Sequence, residues 1–216
     1  MGTVSRNCRK MNSPVLCYTP EEIIEFQNHI SNSVGPCGDI VLPDKKNRFG
    51  IHIDIVVVWP RPEDPYIHLI TIGAGAYSMP GGKRAEYMIT LPKEWPMDVK
   101  SWRDERNFWP IRLLQNASRF PIGASTKLNW FHVLTFEGPF SVDTLQCGCI
   151  FMPLPFFKKV QLSSGKVVKI LQIVPLYQRE IDQCYNLGNK QVASAIKAIF
   201  AGVYCFPVSP QRALCL

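Results

Sequence analysis

The stretch "IHIDIVVV", residues 51–58, constrains the fold more than any other part of this chain. Ile51, Ile53, Ile55 and Val57 recur at every second position, a period that an extended strand turns into one continuous apolar face. The other face begins polar, with His52 and Asp54, and becomes apolar at Val56 and Val58. One face therefore belongs to a core, and the second follows it into burial along the strand. The polar pair poses the functional question. Histidine and aspartate on one strand suit a catalytic or metal site, and they suit equally a satisfied contact inside a sheet.

Further runs rich in β-branched and aromatic residues predict strands at 66–73, 85–91, 147–153, 158–162 and 166–174. The link at 59–65 holds three prolines, so it is a loop and not a ladder position. The first helix is read from its caps. Thr19 supplies the N-cap, Pro20 the first turn and Glu22 the return half of a capping box. Ile23, Phe26 and Ile30 form its stripe, and Gly35 and Pro36 end it. A second helix is predicted over 107–120, with Trp109, Leu113, Ala117 and Phe120 on one face and Pro121 as its stop. Helices at about 177–187 and 189–201 close the chain. Strands in runs, with helices at the start, middle and end, predict an α+β single domain: a mixed or antiparallel sheet flanked by helices. Residues 1–14 are expected to be a disordered tail and 15–216 the domain.

The net charge of +7 favours an acidic protein partner. The basic residues are scattered, without a stripe interleaved with aromatics, so nucleic acid is not an expected partner. No apolar run reaches 18 residues, so no membrane span is expected. The start of the chain lacks the apolar core of a signal peptide, and the eight cysteines show no zinc spacing. A cytoplasmic protein with reduced thiols is the expectation.

The loop "GAGAYSMPGGK", residues 73–83, invites a phosphate-binding reading that its spacing rejects. A Walker A motif needs glycine where Tyr77 stands and Ser or Thr where Arg84 stands. The loop also leads into a strand, so no helix N-terminus faces it. Nucleophile-elbow, zinc-protease and kinase signatures are absent. What remains is His52, His68 and Asp54, which a hairpin would make neighbours. Two imidazoles and one carboxylate suffice for a metal with open positions. Half-buried histidines, however, commonly satisfy themselves against an acid or a backbone carbonyl, and the chain is not expected to be an enzyme, to carry a cofactor or to act on a small-molecule substrate.

Five segments, "IHIDIVVVWP", "PYIHLITIGAGAYSMP", "RAEYMITLPKEW", "FWPIRLLQNASRFP" and "ILQIVPLYQREIDQCYNLG", resemble in their order the Suppressor of Fused (SUFU) domain family. The similarity runs from about residue 48 to 190. The resemblance implies a non-catalytic α+β domain that binds proteins. Animal members grip an extended peptide of a transcription factor between this domain and a second one, for which this chain is too short. Single-domain bacterial relatives resemble immunity proteins that neutralise polymorphic toxins by binding them. By this resemblance the chain is expected to be such an immunity protein, with an acidic toxin domain as its partner. The alternatives are a scaffold or regulatory protein with no toxin partner, or a metal-dependent enzyme using His52, Asp54 and His68. The family's peptide-contacting tyrosine matches Phe120, and its acid before a histidine matches Phe131 before His132. Both polar handles are replaced, so a different peptide is implied. Phe120, Trp130, Phe131 and His132 form the candidate partner-binding patch, with core packing as the competing reading.

Overall fold

The computed structural model describes residues 14–154, 157, 159–201 and 205–215. Apart from Pro14, the tail expected over 1–14 lies outside the described residues. One mixed sheet organises the chain: β1 (Cys37–Leu42), β2 (Asp54–Val58), β3 (Tyr66–Ile72), β4 (Arg84–Pro92), β5 (Val133–Thr135), β6 (Gln146–Pro153), β7 (Val160–Gln161) and β8 (Val167–Tyr177). The spatial order is β1-β2-β3-β4-β8-β6-β5, with β7 also paired to β8. The β4–β8 pair is parallel, and the other named pairs are antiparallel. Four helices join it: α1 (Pro20–Ser33), α2 (Glu105–Gly123), α3 (Gln178–Leu187) and α4 (Asn189–Ile199).

The apolar pattern explains the layering. Ile55 and Val57 of β2, Ile67 and Leu69 of β3, Tyr87 and Ile89 of β4 and Leu171 and Ile173 of β8 pack with Trp109, Leu113 and Ala117 of α2. On the opposite face, Val56, Val58, Ile70, Ile72, Met88 and Ile170 meet Phe26 and Ile30 of α1. Farther along that face, Ile150, Met152, Val174 and Leu176 meet Ile181 of α3 and Val192 and Ile196 of α4. Central strands covered on both sides lose their polar alternation, which is why β8 reads "VVKILQIVPLY".

α1 has the expected capping box, with Glu22 N–H donating to Thr19 and Glu22 accepting from Thr19 N–H. Glu22 also takes Lys166 and Ser164, which ties the helix start to the β7–β8 turn. α2 departs from expectation at both ends. It starts at Glu105 behind an Asp104 cap, and it runs through Pro121 to Gly123. Phe120 does not share the core face. The buried stripe is Leu114, Ala117, Ser118 and Pro121, whereas Asn116, Phe120 and Gly123 face outward one turn apart. Strands β1 and β5 were not legible in the sequence. β1 is interrupted by two register shifts, and β5 has only three residues.

The C-terminal segment is anchored by an ion pair inside the protein. Arg212 makes two charge-assisted hydrogen bonds to Glu180, which also accepts the N–H groups of Tyr177 and Cys215. Burial pushes the Glu180 carboxyl up, but Arg212, together with the hydrogen bonds from Cys215 and Tyr177, more than offsets it and holds it below the usual range. Arg212→Met is therefore expected to lower stability by about 3–5 kcal/mol, because it leaves a buried charge unpaired. Urea unfolding near neutral pH measures this. The loss should shrink on acidification, since a protonated Glu180 no longer needs the cation.

Candidate functional site

Asp54 opens β2, and His52 precedes it just outside the strand. Their side chains meet, His52 Nε2 to Asp54 Oδ2 at 3.0 Å. His68 does not join them. In the β2–β3 ladder Asp54 lies opposite Ile72 and His68 opposite Val58, about 13 Å apart at strand spacing. The second nitrogen of His52, Nδ1, contacts Asn47 Oδ1 at 2.7 Å. Asp54 Oδ1 accepts Asp44 N–H at 2.7 Å. Asp44 in turn accepts the N–H groups of Lys46, Asn47 and Ile53 and the guanidinium of Arg119. The pair is one end of a clamp that holds the 43–50 loop between β2 and α2.

Tertiary packing adds a thiol that the sequence did not associate with this pair. Cys17 lines the same small cavity as His52 and Asp54. A thiol, an imidazole and a carboxylate together resemble a nucleophile set, but the base must keep a nitrogen free for the thiol proton. Both nitrogens of His52 are engaged, so it is not arranged as that base.

His68 serves a different network. It is fully buried, with Nε2 on Asp64 at 2.8 Å and Nδ1 on Thr90 at 3.0 Å. Gln172 donates to Thr90 Oγ1 and to the Phe206 carbonyl, and Val208 N–H donates to the Thr90 carbonyl. These contacts stitch together the β2–β3 turn, β3, β4, β8 and the segment after α4. Cys205 lies beside them, and burial, reinforced by the Asp64 charge, pushes its thiol up to about 12. The C-x-C pair is divided. A register shift between Gln146 and Gly148 sends Cys147 to the α3–α4 side and Cys149 to the α2 side. The described cysteines are all unpaired. Among the described residues no three His, Cys, Asp or Glu side chains converge as metal ligands. Dialysis against zinc followed by elemental analysis is expected to leave well below one ion per chain, and a near-equimolar content would revive the metal reading.

The glycine loop does cradle an acidic group, but an internal one. Gly73, Ala74 and Gly75 aim their N–H groups at the carboxylate of Glu86 on β4, at 3.0, 3.2 and 2.8 Å. Thr71 adds its hydroxyl at 2.5 Å. A side chain at Gly73 would strike the His52 carbonyl, and one at Gly75 the Tyr18 hydroxyl. The donors that a phosphate would need are therefore already occupied. Burial lifts the Glu86 carboxyl to about 7, against the downward pull of those donors. The folded state thus keeps its proton up to about pH 7, whereas an unfolded glutamate loses it near 4.5. Stability from this group should fall as pH rises through that window, by about 3 kcal/mol in all, and level off above it. Glu86→Gln should abolish that slope while lowering stability at every pH, because its amide N–H₂ faces backbone donors. The difference between wild type and variant, measured by urea unfolding from pH 4.5 to 8, isolates the effect.

The expected binding residues divide into two places. Trp130 is 38% exposed, with Lys169 Nζ 4.3 Å above its ring. Phe131 has φ 66° and packs partly on the α3–α4 core, and its carbonyl accepts Asn189 Nδ2 at 2.7 Å. Trp130, Phe131 and His132 line a shallow depression of about 470 Å³ with Leu187, which is 50% exposed. Phe120 lines a different depression with Phe49. Leu187 and Phe49 were missed, because each reads locally as a helix end or a loop residue.

The polar clusters around His52, His68 and Glu86 are thus engaged mainly inside the fold, and exposed apolar residues gather beside the end of the sheet. Residues 50–199 match the family model described as Suppressor of fused protein (SUFU), and the chain belongs to that family. Solved structures show the same fold. A chain of the Sufu–Fu complex is 15% identical with a TM-score of 0.67, covering 91% of this chain and 93% of its own. A SUFU homologue from Neisseria gonorrhoeae FA 1090 is 14% identical with a TM-score of 0.64, covering 90% and 97%. Drosophila Suppressor of Fused is 12% identical with a TM-score of 0.64, covering 90% of this chain, which spans about half (51%) of that protein. Among curated proteins none matches the chain significantly. Among the described residues no helix is long and apolar enough to cross a membrane.

Proposed function

We propose that this chain is a non-enzymatic protein-binding domain, and that it acts in the cytoplasm as an immunity protein that neutralises a toxin by direct binding. The observation that carries the binding role is the contrast between the two ends of the sheet. β1 closes one end with two register shifts, a device that discourages further pairing. β5 closes the other without a register shift and with no strand on its outer side among the described residues. It is only three residues long, so a partner strand would gain few ladder bonds there and would depend on the side chains beside it. Beside it lie Trp130, His132 and Leu187. A free edge supplies main-chain hydrogen bonds to an extended segment, and flanking aromatic residues supply the anchor. A partner that adds a strand along β5 and covers Trp130 uses both.

Two relatives support this reading. One structural neighbour was solved in a complex with a second protein, Fu. The solved chain of the Neisseria homologue matches over nearly its whole length (97%), which supports a single-domain bacterial member as the pattern for this chain. Affinity purification from the native cell should recover one protein in equimolar amount, and that protein should be a toxin encoded nearby. Trp130→Ala with Leu187→Ala should weaken that complex by about tenfold or more, read by titration calorimetry. Recovery of no stoichiometric partner would sink the binding role. A partner without toxicity in cells lacking this chain would leave a scaffold or regulator instead.

A further inference from the structure

We propose that the groove between the 43–50 loop and the C-terminal half of α2 takes an acidic segment of the partner protein that carries an aromatic or aliphatic side chain. This rests on the protein-binding reading and adds a second surface with its own chemistry. Two depressions of about 460 and 410 Å³ share Arg48, Asn116 and Arg119 in their walls, so they adjoin along α2. Arg119 is 8% exposed, and its Nη2 meets Asp44 at 2.6 Å. Its Nε is closed off from solvent and has no hydrogen-bond partner. Lys45, Lys46 and Arg48 stand on the rim, exposed, with no ion pair among the described residues. Asp44 is the one acid present, and its oxygens are already taken by loop N–H groups and Arg119. Charge complementarity therefore selects an acidic occupant.

The far end of the groove is apolar. Phe49 is 64% exposed and holds a left-handed backbone at φ 59°, a conformation disfavoured for a bulky residue. Its ring lies over Gly123, where a Cβ would come to 3.3 Å, and beside Phe120, which is 40% exposed. The His52–Asp54–Asp44 clamp presents this loop. The cations gather on one rim and do not continue as the track that a polynucleotide backbone requires.

The test is fluorescence anisotropy with a labelled peptide of Glu and Asp around one Phe, at about 50 mM salt. The peptide should bind saturably, and its counterpart with Lys for each acid should not. Reversing the rim with Lys45→Glu, Lys46→Glu and Arg48→Glu together should weaken binding by about tenfold or more. Raising salt to about 300 mM should weaken it by a similar factor. Phe120→Ala should weaken it by about threefold to tenfold, and Val142→Ala, at an exposed position outside both depressions, should leave it unchanged. Circular dichroism of the rim variant should match wild type, since the substituted side chains are exposed. Peptide binding indifferent to the rim reversal, or no saturable binding, overturns the proposal. Tighter binding of a single-stranded oligonucleotide also overturns it, as does displacement of the peptide by inorganic phosphate at equal concentration. A partner captured from cells whose affinity survives the rim reversal removes the groove while the binding-domain reading stands.

Discussion

Burial of the central strands on both faces is the constraint from which the rest of this structure follows. β3, β4 and β8 lie between α2 on one side and α1, α3 and α4 on the other, so a polar side chain among them has no water to turn to. Thr71, Glu86, His68, Thr90 and Gln172 are all fully buried, and each makes at least one hydrogen bond inside the protein, while Gln172 Oε1 and Asp64 Oδ1 beside them make none. Such networks cost more when incomplete than they contribute when complete, so they specify one packing over others. The polar residues that most resembled chemistry in the sequence are for this reason part of the architecture.

The same constraint leaves the margins as the exposed apolar surface. With the sheet faces occupied, main-chain groups become available at the sheet ends, and exposed apolar residues collect on loops and helix corners. Trp130 and Leu187 lie beside β5, whereas Phe49 and Phe120 lie beside the 43–50 loop. The rigid interior contributes indirectly. The Asp44–Asp54–His52 clamp joins that loop to β2, and the Asp44–Arg119 pair joins it to α2. Buried structure sets the shape of an exposed surface, while the chemistry of that surface comes from residues that contribute little to the core.

Most of the framework was legible residue by residue. The Thr19–Glu22 box announced α1, the alternation over 51–58 announced β2, and the apolar run before Tyr177 announced β8. The misses have local causes. Pro121 has the sequence signature of a stop, yet it sits in the last turn of α2, which continues only two residues beyond it. Phe120 was counted on the core face because spacing alone does not say where a helix rotates its outer stripe into solvent. β1 and β5 were invisible because bulges and brevity erase the period-two signal. Of the candidate surface, Trp130, Phe131 and His132 were legible together, but Leu187 and Phe49 were not, since contiguity in a depression is not a property of sequence.

By itself the sequence determined the class of domain, the faces of its longest strands, the caps of its first helix and the absence of a phosphate-loop spacing. Each is a property of neighbours along the chain: a period, a cap or a turn residue. Only the tertiary structure decided what the ambiguous polar residues do. His52 and His68 are separated by strand register, not by residue type. Cys147 and Cys149 are sent to opposite faces by one bulge. The three N–H groups of the glycine loop meet Glu86 because β4 carries it back beneath them. Distances across strands depend on pairing and on burial from both sides, and neither is written in the local pattern.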